Sequence, residues 1–309
     1  MKIWVTGARG MLGSAIVRAL RSRAPGSELV TPTSAELDLT DPQAVRRFLQ
    51  AGRPDVTIHA AGRVGGIAAN VADPVGFLTQ NLAIGMNVIE GSHRAGVPTL
   101  INVGSSCMYP KDHSDALVED DVLSGRLEPT NEGYAIAKIA ADRLCEYLST
   151  QYGAAYRTVI PSNLYGPGDH FDEHRGHLIA NAIRKVDEAV RSGLGSVLIW
   201  GDGSARREFT FVDDVAEWIA TLAYSGVSEL PPRLNAGVDI DHTVTEYYEQ
   251  IAAVAGYSGG FEYDTSRPVG MRRKLMDSSL ARGYGWAPAT QLDEGLRRTI
   301  EYYRTEVRG

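Results

Sequence analysis

Cysteine is scarce in this chain: 309 residues hold two, Cys107 and Cys145. Two thiols build no disulfide framework, and with no CxxC pair they offer no zinc knuckle. Long hydrophobic runs are missing as well, and none approaches the roughly 18 residues that a bilayer span needs. The N-terminus passes directly into the apolar stretch Lys2-Ile-Trp-Val-Thr6, which leaves no room for a signal peptide. The expected location is the cytoplasm, with no membrane partner. Positive charge is in deficit, 31 Lys and Arg against 38 Asp and Glu, for a net −7. That balance excludes the basic footprint of a nucleic-acid protein but leaves room for local phosphate sites. Repeats, low-complexity tracts and linkers are absent too.

What is present is a regular first half. Strand-like segments at residues 2–6, 27–31, 55–60, 99–103 and 156–160 alternate with helical spacing at 11–21, 42–49, 73–95 and 131–152. Thr40 or Asp41 opens the second of these helices as its cap. The alternation predicts right-handed βαβ units on a doubly wound parallel sheet, an α/β fold of Rossmann type. The second half is less regular. It offers strands at 197–200, 233–236 and 261–263, a helix opened by the capping box Thr243-Val-Thr-Glu246, and a last helix at 292–303. The expected organisation is a dinucleotide-binding domain over 1–165 and a smaller mixed α/β substrate domain over 166–309. Some segments of the second return to the first sheet, and ligands are expected in the cleft.

Gly7-Ala-Arg-Gly10-Met-Leu-Gly13 follows the first strand and opens a helix. The first glycine permits the tight turn, the next lets the backbone approach a pyrophosphate, and the third lets helix and sheet pack closely. Amides at the start of the helix, from Met11, then face the phosphates. An NAD site commonly places an acid at the end of the second strand, but here the chain reads Thr31-Pro-Thr-Ser34. Arg9, inside the loop, suits a 2′-phosphate. The cofactor expected is NADP(H), with NAD(H) the alternative.

Tyr134-Ala-Ile-Ala-Lys138 puts a phenol and an ammonium one helical turn apart on one face. The ammonium is expected to lower the phenol's pKa and make it an acid–base group. Ser105, just past a strand at the sheet edge, is placed to bond the same substrate carbonyl. Cys145, beside Leu144 within a helix, reads as a packed thiol.

The glycine loop, Ser105 and the Tyr134/Lys138 pair resemble the extended short-chain dehydrogenases/reductases. Longer strings resemble one branch of them, the GDP-L-fucose synthases, which epimerise and reduce GDP-4-keto-6-deoxy-D-mannose. They include Val64-Gly-Gly-Ile67, Gly104-Ser-Ser-Cys-Met-Tyr-Pro-Lys111, Glu128-Pro-Thr-Asn-Glu132, Asn163-Leu-Tyr-Gly-Pro167, Arg207-Glu-Phe209 and Val212-Asp-Asp214. The resemblance implies 3,5-epimerisation followed by C4 reduction. Cys107 would act as base and His177 as acid, while Ser105 and Tyr134 stabilise the enolate oxygen. It implies cofactor contacts from Gly7, Gly10 and Gly13 of the loop, from Ala60 and Ala61, and from Tyr134, Lys138 and His177. Arg207 and Lys274 are candidates for the nucleotide diphosphate. Asn163 is a candidate for the sugar, and Trp200 either stacks on the base or packs in a core. A homodimer through the helices at 73–95 and 131–152 follows from the same resemblance. A C4-reductase without epimerisation and a non-catalytic dinucleotide-binding regulator are the competing expectations. The chain departs from the branch at Pro32 and Ser34, where an arginine is usual, and at Gly133, where proline is. Residues 112–120 differ as well. Such departures fit an altered sugar, a dideoxy or heptose relative.

Overall fold

The computed structural model describes residues 1–113, 115–172, 176–266 and 271–308. Its first half runs β1 (Lys2–Thr6), α1 (Met11–Arg23), β2 (Glu28–Val30), α2 (Pro42–Gly52), β3 (Val56–His59), α3 (Ile67–Ala72), α4 (Pro74–Arg94), β4 (Thr99–Val103), α5 (Glu132–Tyr152) and β5 (Ala155–Pro161). Helix starts follow local chemistry. Asp41 caps α2 by accepting from Gln43 N, with Pro42 at the first helical position. Asp73 and Pro74 open α4 in the same way, through Gly76 N. Thr40 is not the cap, because its hydroxyl bonds Asp38 instead.

The chain continues through β6 (Asn163–Tyr165), α6 (Leu178–Ser192), β7 (Ser196–Trp200), β8 (Arg206–Arg207), β9 (Phe209–Phe211), α7 (Val212–Ser225), β10 (Arg233–Ala236), β11 (His242–Thr243), α8 (Val244–Ala255), β12 (Gly260–Asp264), β13 (Arg273–Lys274), α9 (Ser279–Arg282) and α10 (Leu292–Tyr302). The capping box forms as expected, Thr243 bonding Glu246 N and Glu246 bonding back to Thr243 N.

Six parallel strands form the main sheet in the order β10-β5-β4-β3-β1-β2. Its central strands are buried along almost their whole length because both faces are covered, polar Thr57 and Asn102 included. On one face Ile3, Val5, Ile58 and Ile101 pack with Ile16 and Leu20 of α1 and Val215 and Ile219 of α7. On the other, Trp4 packs with Val45, Leu49 and Val88. Burying a side chain of this size contributes about 1.5–3 kcal/mol, so the two layers are the main source of stability. A separate cluster joins Tyr165, Ile183, Phe209, Tyr247, Ile251 and Leu296 around α6, α8 and α10. No helix among the described residues is long and apolar enough to cross a membrane.

Several elements escape the sequence pattern. Helix α7 is one of them: it buries Val212, Val215, Trp218, Ile219 and Leu222 and turns Glu217, Thr221 and Ser225 to solvent. Strands β8, β11 and β13 have two residues each and exist only through pairing with one another.

Candidate active site

In the main sheet β2 lies beyond β1 on one side and β4 beyond β3 on the other. The strand order therefore reverses between β1 and β3, the position where doubly wound sheets bind ligands. The glycine loop leaves β1 at this point. Gly7 has φ +68°, and a Cβ there would stand 2.8 Å from Ala60 O and Ala61 N. A Cβ on Gly13 would stand 2.0 Å from Gly7 O, so α1 approaches the loop as only glycine allows. Gly10 N closes the turn onto Gly7 O at 2.9 Å. Gly10 is also the cap residue of α1 and gives its first amides no side-chain partner. Those amides from Met11 onward suit a diphosphate. The Thr6 hydroxyl accepts from Ala61 N at 3.1 Å and meets His59 Nδ1 at 2.8 Å. Burial, and then the Lys138 charge, push His59 down to about 3. His59 is thus neutral, and its contact with Thr6 ties the ends of β1 and β3 together. The residues present fit a dinucleotide. Arg9 is exposed at the rim, and its charge helps to hold Glu36 below the usual carboxylate range, after the hydrogen bonds from Thr33. Glu36 is six residues beyond β2 and was not visible as a strand-end acid.

Ser105 follows β4 after Gly104, and its hydroxyl accepts from Cys107 N at 3.3 Å, starting a 3₁₀ turn over Ser106–Met108. Helix α5 brings Tyr134 near enough to Ser105 for the serine hydroxyl to act on its phenol. Lys138 Nζ lies 5.9 Å from the Tyr134 ring centre and donates to Val103 O at 2.9 Å. Here the structure corrects an expectation. The phenol is raised, not lowered: burial is the main cause and the Cys107 charge adds to it, while the Ser105 bond opposes. Lys138 is itself pulled down to about 8 by burial.

The sulfur of Cys107 receives two donors, Asn131 Nδ2 at 3.1 Å and Lys274 Nζ at 3.6 Å. Lys274 comes from β13 and is 8% exposed. A diphosphate candidate in the sequence, it reaches the candidate base instead. Burial first, and the Lys274 charge second, lower the pKa of His177. His177 sits at the cap position of α6 but its side chain makes no cap bond there. Four parts of the chain remote in sequence thus come together: residues 105–107, residues 131–138, His177 and Lys274.

Arg207 is the register partner of Lys274 in the small sheet, so both project from one face. Burial lowers the Arg207 pKa and the Glu128 charge opposes this. Asn163 opens β6 and spends its Nδ2 on Glu208 O at 2.9 Å. Trp200 is 42% exposed, which removes core packing as its role. Lys185 Nζ lies 4.8 Å from its ring centre. Cys145 is fully buried, as expected. Among the described residues no group of three side chains could hold a metal ion. Asn131, Asn70 and Lys185 were missed. Asn131 stands three residues before Tyr134, a spacing that could have signalled it, whereas nothing in the local pattern marks Lys185.

A family model for the NAD dependent epimerase/dehydratase family matches residues 3–237. The chain is 45% identical over 307 residues to a GDP-L-colitose synthase of Yersinia pseudotuberculosis, covering 99% of each. It is 47% identical over 305 residues to a GDP-L-fucose synthase of Azorhizobium caulinodans, covering 98% of this chain and 96% of that one. Among solved structures it is similar to a GDP-mannoheptose C4 reductase of Campylobacter jejuni with NADP bound. That likeness has a TM-score of 0.89 and 31% identity and covers 98% of each chain. With a family model over most of its length and relatives of this identity from end to end, the chain belongs to the NAD dependent epimerase/dehydratase family.

Proposed function

We propose that this protein converts a GDP-linked 4-keto-6-deoxyhexose by 3,5-epimerisation and NADPH-dependent reduction at C4. The observation that carries the reading is the convergence of Cys107, His177 and the Ser105–Tyr134 pair beside the glycine loop. A C4 ketone acidifies the hydrogens on C3 and C5. Cys107 and His177 flank that position as a proton acceptor and a proton donor. Ser105 and Tyr134 donate to the carbonyl oxygen as charge develops on it. NADPH, when bound, supplies the hydride. Tyr134 then gives its proton to the C4 oxygen, and Lys138 holds the phenol in place through its anchor on Val103 O. Arg207 suits the diphosphate, and Trp200 with Lys185 suits the base. Mixing protein and substrate in deuterated water without NADPH should exchange the C3 and C5 hydrogens; absence of exchange would remove the epimerase half.

A C4 reduction without epimerisation is the second reading, favoured by the likeness to the heptose C4 reductase. Product stereochemistry by NMR separates the two. A non-catalytic regulator has no use for the assembled Ser105, Tyr134 and Lys138. The division into a dinucleotide domain over 1–165 and a substrate domain over 166–309 is supported by the separate apolar cluster around α6, α8 and α10. A homodimer through α4 and α5 is supported by exposed Met86, Ile136 and Tyr147 on those helices. Sedimentation as a single chain would exclude it. The cytoplasm remains the proposed location.

A further inference from the structure

A cleft of about 190 Å³ opens beside Tyr134, between the end of α3, the start of α4 and the segment leading into α5. Two of the side chains lining it are asparagines whose amide oxygens are buried and have no hydrogen-bond partner, Asn70 Oδ1 and Asn131 Oδ1. Their nitrogens are committed. Asn70 Nδ2 donates to Gly65 O at 2.9 Å and Gly66 O at 3.1 Å, and Asn131 Nδ2 donates to the Cys107 sulfur. Asn70 is 5% exposed, and no protein group bonds its oxygen. Buried acceptors are seldom left unmatched in a folded protein, and a pair of them lining one cleft at a catalytic tyrosine asks for a ligand.

The chemistry of the pair limits that ligand. Both free atoms accept and neither donates, so the cleft favours hydroxyls and disfavours a phosphate, which at neutral pH brings mainly acceptor oxygens. The cation that suits the diphosphate is Arg207 of the small sheet, since its register partner Lys274 reaches the Cys107 sulfur. A sugar nucleotide would therefore enter with its pyranose in the cleft and its diphosphate toward that sheet. A 4-keto-6-deoxyhexose linked through C1 has two free hydroxyls, on C2 and C3. Two donors meet two acceptors.

We infer that Asn70 and Asn131 are specificity residues which accept the C2 and C3 hydroxyls, so that the enzyme requires a sugar oxygenated at C3 and rejects its 3-deoxy analogue. The inference rests on the reading of the protein as a keto-sugar enzyme, and it decides between the two kinds of relative: a fucose-type substrate keeps the C3 hydroxyl, whereas a colitose-type substrate lacks it. A 3-deoxy sugar would leave one buried acceptor unmatched. Sites built to bond a hydroxyl discriminate strongly against its absence, whereas apolar pockets reject poorly.

The test compares GDP-4-keto-6-deoxymannose with GDP-4-keto-3,6-dideoxymannose by NADPH oxidation. kcat/KM should be higher for the first by about 100-fold or more. Asn70→Leu should narrow that ratio by about 10-fold or more while NADPH binding, followed by fluorescence, is unchanged. Asn70→Ser is the second variant should the first not fold, with the same narrowing expected. Equal kcat/KM for the two sugars in the wild type overturns the inference and leaves the functional reading intact, as does an unchanged ratio in a folded variant. If neither sugar is consumed, the functional reading falls. Calorimetric affinities of the two sugars for the NADP⁺-loaded protein then decide the inference on the same criterion.

Discussion

At the scale of single residues, the site is shaped by where charges end up. The Lys274 ammonium reaches the Cys107 sulfur, and its charge, after burial, lowers the pKa of His177. A cation disfavours a second cation nearby, so Lys274→Met should move the His177 titration to higher pH. An NMR titration of the His177 ring reads this directly, and an unmoved midpoint would count against the contact. Cys107→Ala should lower hydrogen exchange at C3 and C5 by about 10²–10⁴-fold, the usual worth of a positioned proton carrier. NADPH affinity should stay the same, since Cys107 is not among the residues expected to hold the cofactor. Tyr134→Phe should slow hydride transfer by a similar factor, seen in single-turnover NADPH oxidation. The Tyr134/Lys138 pair was legible in sequence as an i, i+4 spacing. The direction of the phenol's shift was not, because it depends on how deeply α5 is packed.

At the scale of elements, the strand–loop–helix unit at the N-terminus is the most constrained. Helix α1 approaches the loop so closely that a methyl group on Gly13 would overlap Gly7 O. Gly13→Ala should therefore weaken NADPH binding by about 10-fold or more and lower stability by about 1–3 kcal/mol, as overpacking does. Unchanged cofactor titration and urea midpoint would contradict the geometry. The glycine spacing, the cap at Asp41 and the box at Thr243 are local signals, and each is seen in the structure where the sequence placed it. Strands β8 and β13 carry no such signal. Two residues do not make a strand alone, and their pairing sets Arg207 against Lys274 from segments more than sixty residues apart.

At the scale of the whole molecule, one buried carboxylate ties the small sheet to the large one. Glu208 is 1% exposed and accepts from Asp239 N at 2.8 Å and Met276 N at 2.9 Å. Burial pushes it up to about 7 despite those bonds. Above pH 4.5 the unfolded chain has given up this proton, while the folded protein keeps it until about 7. The folded state binds more protons in that window, so this group's contribution to stability falls as pH rises from about 4.5 to 7. The expected size is about 3 kcal/mol. Urea unfolding of the wild type and Glu208→Gln across that range should show the wild type losing ground to the variant as pH rises. A difference independent of pH would refute it.

By itself the sequence determined the doubly wound sheet, the dinucleotide loop and the Ser–Tyr–Lys set. All three rest on local periodicity and on spacings of at most a few turns. The tertiary structure alone decided that Lys274 and Asn131 stand at the Cys107 sulfur, that Trp200 lies at the surface, and that two asparagine oxygens face a cleft with no partner. These are contacts and burials between distant segments. They depend on how the second half folds back over the sheet edge, and no pattern of neighbouring residues encodes that packing.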